Sequence, residues 1–151
     1  MPVRILPTGG KKGTKRHILT DGRGAPLSIV VTGANRHDSP QTGLVLDGVI
    51  VALPDKIVPK LGGDKGYSGE PAQNAAQEHG YMPYLMQRGV TYEKGHLPRR
   101  WMVERVHSWV NRFRKLLVRY EKWTESYLGL LQFACAIVCF RMADIRMANI
   151  R

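Results

Sequence analysis

Met102, Val106, Trp109, Phe113, Leu116 and Tyr120 recur at spacings of three and four along an otherwise polar, arginine-rich segment, which is the stripe of an amphipathic helix. Directly after it, from about Thr124 to Met142, nearly every residue is apolar. A helix with one apolar stripe followed by a helix apolar almost all round leaves few solutions: the second packs on the stripe of the first. The chain is therefore predicted to be helical from Arg99 onward, and the residues before it must supply the other side of the core.

Those residues read as short strands alternating with helices. KRHILT and APLSIVVTG are β-prone runs on either side of DGRG, the local signal of a hairpin, with Asp21 in its turn. In NRHDSPQTGLVLDGVI a helix should begin with Ser39 as N-cap and Pro40 at its first position. Its apolar residues are few, which predicts a surface helix, and Asp38 fits a helix start. KLGGDKGY puts Lys60 to Asp64 on a short strand or strand end. SGEPAQNAAQEHG reads as a helix ending in Gly80, YMPYLM as another strand, and Gln87 to Pro98 as a loop. With 151 residues, 43% of them hydrophobic, the chain suits one core. Residues 1–14, rich in Pro, Gly and Lys, read as a flexible basic segment, residues 15–143 as the domain and residues 144–151 as a tail. The element order predicts an α/β layer.

Lys and Arg outnumber Asp and Glu by 23 to 12, a formal charge of +11 with a pI near 10.1. The excess sits in Lys11 to Arg16 and Arg99 to Lys122, the footprint of a polyanion binder, with nucleic acid as the partner. No membrane is expected: neither cluster forms a clean basic amphipathic face. The apolar run Leu128 to Phe140, interrupted by Gln132, falls short of the ~20 residues that span a bilayer. The start MPVRILPTGG lacks a signal-peptide core. Cys135 and Cys139, four apart in an apolar run, read as buried free thiols, and the five histidines lack a metal-binding spacing. A reduced, cytoplasmic protein is the expectation.

Two acids interrupt this basic pattern. At about 100° per residue Glu104 falls opposite the apolar stripe, with Arg100, Ser108, Asn111 and Lys115 within roughly 40° of it. Alone it is ordinary dressing of a surface helix. Asp64, after Leu61-Gly62-Gly63, stands where α/β sheets present functional side chains, although a turn or cap role explains it equally well. A strand-end Asp and a helix Glu could converge on one divalent cation, and phosphoryl transfer needs such hard carboxylate oxygens.

The three segments KRHILTDGRGAPLSIVVTGANRHDS, GGDKGYSG and LPRRWMVERVHSWVNRFRKLLVRYEK, in that order, resemble the carboxyl-terminal part of bacterial insertion-sequence transposases of the DDE type. The resemblance runs from about Lys11 to Met142. It implies an RNase H-like mixed sheet with flanking helices, incomplete at the N-terminal strand. It also implies Asp64 and Glu104 as catalytic acids and ligands of Mg²⁺ or Mn²⁺, and Arg100, Arg112, Lys115 and Lys65 as DNA contacts. The implied partners are element ends and target DNA, with a homo-oligomer or an upstream-frame product as a further associate.

The chain departs from the family pattern at Leu97 and Asn111, where a tyrosine and a basic residue are usual. No residue matches the family's first catalytic Asp. Asp21 and Asp38 are better explained by turn and helix-start roles, and PVRIL, apolar enough for the missing strand, offers no carboxylate. The expectation is a transposase fragment or second reading-frame product, inactive alone. A non-catalytic DNA-binding regulator and an inert remnant of a mobile element are the alternatives.

Overall fold

The computed structural model describes residues 13–53, 56–87, 89–91 and 101–148, with side chains as far as Asp144. In chain order the elements are β1 (Thr14–Thr20), β2 (Pro26–Gly33), a 3₁₀ turn (Ser39–Gln41), α1 (Thr42–Asp47) and β3 (Lys60–Gly63). A second 3₁₀ turn (Lys65–Tyr67), α2 (Glu70–Glu78), β4 (Met82–Leu85), α3 (Trp101–Asn111), α4 (Arg114–Leu117) and α5 (Thr124–Ala148) follow. They form two compact units, one of Met1–Asn35 with Trp101–Arg151 and one of Arg36–Arg100.

In the first unit β1 and β2 form the expected antiparallel hairpin, pairing Arg16 with Val31 and Ile18 with Ile29. Asp21 holds its turn: one carboxylate oxygen accepts from the N–H groups of Arg23 at 2.9 Å and Ala25 at 2.7 Å. That is the turn role its sequence context called for. The two-residue strand period sets Arg16 and Ile18 on the same face as Val31 and Ile29. Ile29 joins Val106, Val110, Leu116, Tyr127, Leu131 and Ala134 in the core, with Ile18, Val31 and Phe113 packed against it. Val106, Val110 and Leu131 are completely buried, each removal from water being worth about 1.5–3 kcal/mol.

The basic helix is shorter than its stripe suggests. α3 ends at Asn111, closed by tightened bonds from the Arg112 N–H to Trp109 O at 3.2 Å and the Phe113 N–H to Val110 O at 3.1 Å. Val110 is buried where Trp109 was expected, and Tyr120 is 74% exposed. Arg16 donates to the Asn111 side chain at 2.8 Å and to the Leu116 carbonyl, an oxygen that would face the N–H four residues on if the helix continued.

α5 buries the face Tyr127, Leu131, Ala134, Cys135 and Val138 against β2 and α3, as the apolar pattern required, while Phe133 and Phe140 point outward. It also runs through Ala148. The expectation that no segment is long enough to span a bilayer needs correction. Thr124–Asp144 comprises 21 residues of mean hydropathy 1.5, because one Gln hardly lowers a helix's average. A packed core helix passes the same test, and this one does not indicate a membrane protein.

In the second unit β3 and β4 pair in parallel, Leu61 opposite Pro83 and Gly63 opposite Leu85, with α2 as the connection. α2 stops as predicted. Gly80 adopts φ +77° after its last turn, and the Tyr81 N–H returns to Ala76 O at 2.8 Å, a cap that glycine makes without strain. α1 buries Thr42, Val45 and Leu46 on one side, in a unit where it packs on α2, and exposes Leu44 and Asp47 on the other, as a surface helix does. Three residues on one side of a six-residue helix suffice to dock it.

The fold class is mixed α/β. A single mixed sheet was expected, but among the described residues there are two separate two-stranded sheets, one antiparallel and one parallel. Each strand bonds only within its own hairpin or crossover unit. PVRIL lies outside the described residues.

Candidate functional site

Asp64 follows directly on β3, at the C-terminal end of a parallel pair, the position at which such sheets present reactive groups. Its side chain caps the 3₁₀ turn beyond, accepting from the Gly66 N–H at 2.9 Å. The residue is otherwise exposed.

Asp38 arrives at the same place from a distant part of the unit. It occupies the N-cap position of the Ser39–Gln41 turn, where Ser39 was expected, but has helical angles (φ −77°, ψ −39°) and makes no capping bond. Ser39 lies inside the turn and is buried. The Asp38 carboxylate instead meets Gly66. A Cβ added there would lie 2.7 Å from Asp38 Oδ2 and 3.1 Å from Asp64 Oδ1. The two acids thus close on one point of backbone, and a side chain at Gly66 would have to push their carboxylate ends aside. Burial first, and then the charges of Asp38 and Asp64, push the Tyr67 phenol far above its ordinary pKa, so it stays protonated.

Glu104 is on the exposed side of α3, away from Met102, Val106 and Val110, as the helical projection placed it. Arg105 beside it is committed elsewhere. Its guanidinium lies 4.8 Å from the ring centres of both Trp101 and Trp109 and donates to the Arg23 carbonyl. Trp109 serves that stack, in place of the core position its spacing suggested. Lys65, Arg112 and Lys115 are exposed, and Arg100 lies outside the described residues. Asn111, the departure from the family's basic position, receives a guanidinium from β1.

Asp64 and Glu104 belong to different compact units. Among the described residues no group of three or more His, Cys, Asp or Glu side chains is placed to hold a metal ion. The donor set at Gly66 is nonetheless of the right chemistry: two carboxylates are hard oxygen donors suited to Mg²⁺ or Mn²⁺. The approach of Asp38 was not legible from spacing. Its sign in the sequence is the third glycine of GGDKG, Gly66, two residues after Asp64.

The family described as Transposase DDE domain matches residues 6–139. A Burkholderia cepacia protein assigned as transposase of insertion sequence element IS402 is 31% identical over 142 residues, covering 89% of this chain and 67% of that protein. No solved structure matches.

Proposed function

Because this chain belongs to the Transposase DDE domain family, whose members use divalent metal ions, we propose that it serves DNA strand cleavage and transfer at the ends of an insertion sequence. In this reading its two units are parts of an RNase H-like domain spanning residues 15–143, which works on DNA in the cytoplasm. Asp64 and Glu104 are the residues that hold Mg²⁺ or Mn²⁺. When bound, such an ion polarises the scissile phosphate and favours the ionised form of the attacking oxygen. The chain's own side chains do the rest. The Gly66 N–H holds the Asp64 carboxylate in place, and the nearby Asp38 carboxylate adds negative potential that attracts a cation. Lys65, Arg100, Arg112 and Lys115 contact DNA phosphates through charge.

The observation that carries the reading is Asp64 at the end of β3, held by Gly66 with a second carboxylate alongside. In this reading Asp64 and Glu104 are two of the three acids of the family motif, and an upstream-frame product supplies the third.

The test is an oligonucleotide joining assay with Mg²⁺ or Mn²⁺, run on the chain alone and with Asp64→Asn and Glu104→Gln. DNA binding without joining is expected from the wild-type chain. Joining by the chain alone refutes the need for a third acid, and Mn²⁺ affinity equal in wild type and both variants refutes the assigned ligands.

A further inference from the structure

A cavity of about 590 Å³ in the unit that carries the hairpin and α3 to α5 is walled by Arg16, His107, Asn111, Arg119 and Tyr127. The guanidinium carbons of Arg16 and Arg119 lie 5.6 and 5.2 Å from the centre of the Tyr127 ring. Every partner that fixes them is neutral. Arg16 donates to the Tyr127 hydroxyl at 2.8 Å, to Asn111 Oδ1 at 2.8 Å and to the Leu116 carbonyl. Arg119 donates to Thr14 Oγ1 at 2.9 Å, Glu121 O at 3.0 Å and Thr124 Oγ1 at 3.1 Å. Among the described residues no carboxylate pairs with either.

Two full positive charges have therefore been gathered at one ring, opposed only by its quadrupole and a few carbonyl dipoles. Each guanidinium has five N–H groups, and each Nη1 bonds a single acceptor, which leaves one N–H per arginine for a ligand. Because the forks are already locked, binding an anion there loses little side-chain entropy. Asn111 gives its oxygen to Arg16, so its amide nitrogen remains a donor.

We propose that this cavity binds a phosphate group and, resting on the transposase reading above, that the group is a backbone phosphate of DNA. Placement supports this ligand. His107 and Asn111 lie three and seven residues after Glu104 on the same side of α3, so the cavity spans from about 4.5 to 10.5 Å along the helix from that acid. A strand passing Glu104 carries a neighbouring phosphate over Arg16 and Arg119. The volume accepts a phosphate with its flanking sugars.

Asn111→Asp tests it. The substitution keeps an acceptor beside Arg16 and adds a carboxylate, so the fold is retained while the charge gathered at the ring falls from two positive charges to one. Gln132→Glu, the same charge change on the exposed face of α5, is the control. One arm measures thermal stabilisation by inorganic phosphate against chloride at equal ionic strength; the other measures affinity for a labelled duplex oligonucleotide across salt concentrations.

Phosphate should stabilise the wild type and the control but not Asn111→Asp. The variant should bind DNA about tenfold more weakly, with a salt slope lower by about one. A phosphate response unchanged in Asn111→Asp overturns the site. If that response is lost while DNA affinity is unchanged, the ligand is free phosphate and the DNA assignment falls. If the wild-type chain binds no DNA yet loses its phosphate response on substitution, the site stands and the transposase reading fails.

Discussion

Arg16 Nη1 donates to Asn111 Oδ1 at 2.8 Å, a bond that ties the first strand to the last residue of the basic helix. The same guanidinium takes the Tyr127 hydroxyl and the Leu116 carbonyl, so one side chain ties β1 to α3, α4 and α5. Replacing it with Met keeps the aliphatic stem and leaves these acceptors without donors, one of them on a residue 2% exposed. The expected loss is about 2–4 kcal/mol in urea denaturation. Arg16→Lys should recover only part of it, since an ammonium cannot span three directions in one plane. A loss below about 0.5 kcal/mol for Arg16→Met would show that the bonds are incidental.

Gly66→Ala separates packing from function. The new Cβ falls 2.7 Å from Asp38 Oδ2 and 3.1 Å from Asp64 Oδ1. Carboxylate ends can swing aside, so a stability cost under about 1.5 kcal/mol is expected. The approach of the two acids is lost, however. Mn²⁺ affinity should drop about tenfold, as for a disrupted supporting contact at a metal site. Unchanged affinity would remove Asp38 from any part in cation binding.

His79 gives the second unit a pH dependence. Its pKa is raised, first by the hydrogen bond between Nε2 and Asp47 at 2.9 Å and then by the bond to the Ala75 carbonyl. A raised folded pKa means that the stabilisation is fully present below the unfolded value, about 6.5. It is lost as pH rises through the folded value. The pair is largely solvated, so at most about 1 kcal/mol is involved. Thermal melts of the wild type should decline slightly as pH rises from 6.5, whereas His79→Gln should be flat over that window.

Burial, with a smaller contribution from Cys139, pushes the Cys135 thiol up to about 11, and burial and Asp21 raise that of Cys139. Neither is a ready thiolate near neutral pH. Alkylation of the native chain should be slow at both positions, slower at buried Cys135, and become fast in denaturant. Rapid native labelling of Cys135 would mean that the face of α5 on which it lies opens readily.

Much of the architecture follows from local chemistry. The Asp-Gly turn between two β-prone runs, the period of three and four after Arg99, and Gly80 at the end of an Ala-rich segment each specify an element within a few residues of chain. The exposed placement of Glu104 and the strand-end placement of Asp64 rest on the same periodicities. What no window of sequence contains is the pairing of groups far apart in the chain: Arg16 with Tyr127, 111 residues away, and Asp38 with Asp64 across Gly66. The same holds for Trp109 on Arg105 and for the two arginines at one tyrosine ring. A guanidinium or carboxylate has many energetically similar local options, and the choice among them is made by which acceptors and charges the packed chain brings within reach.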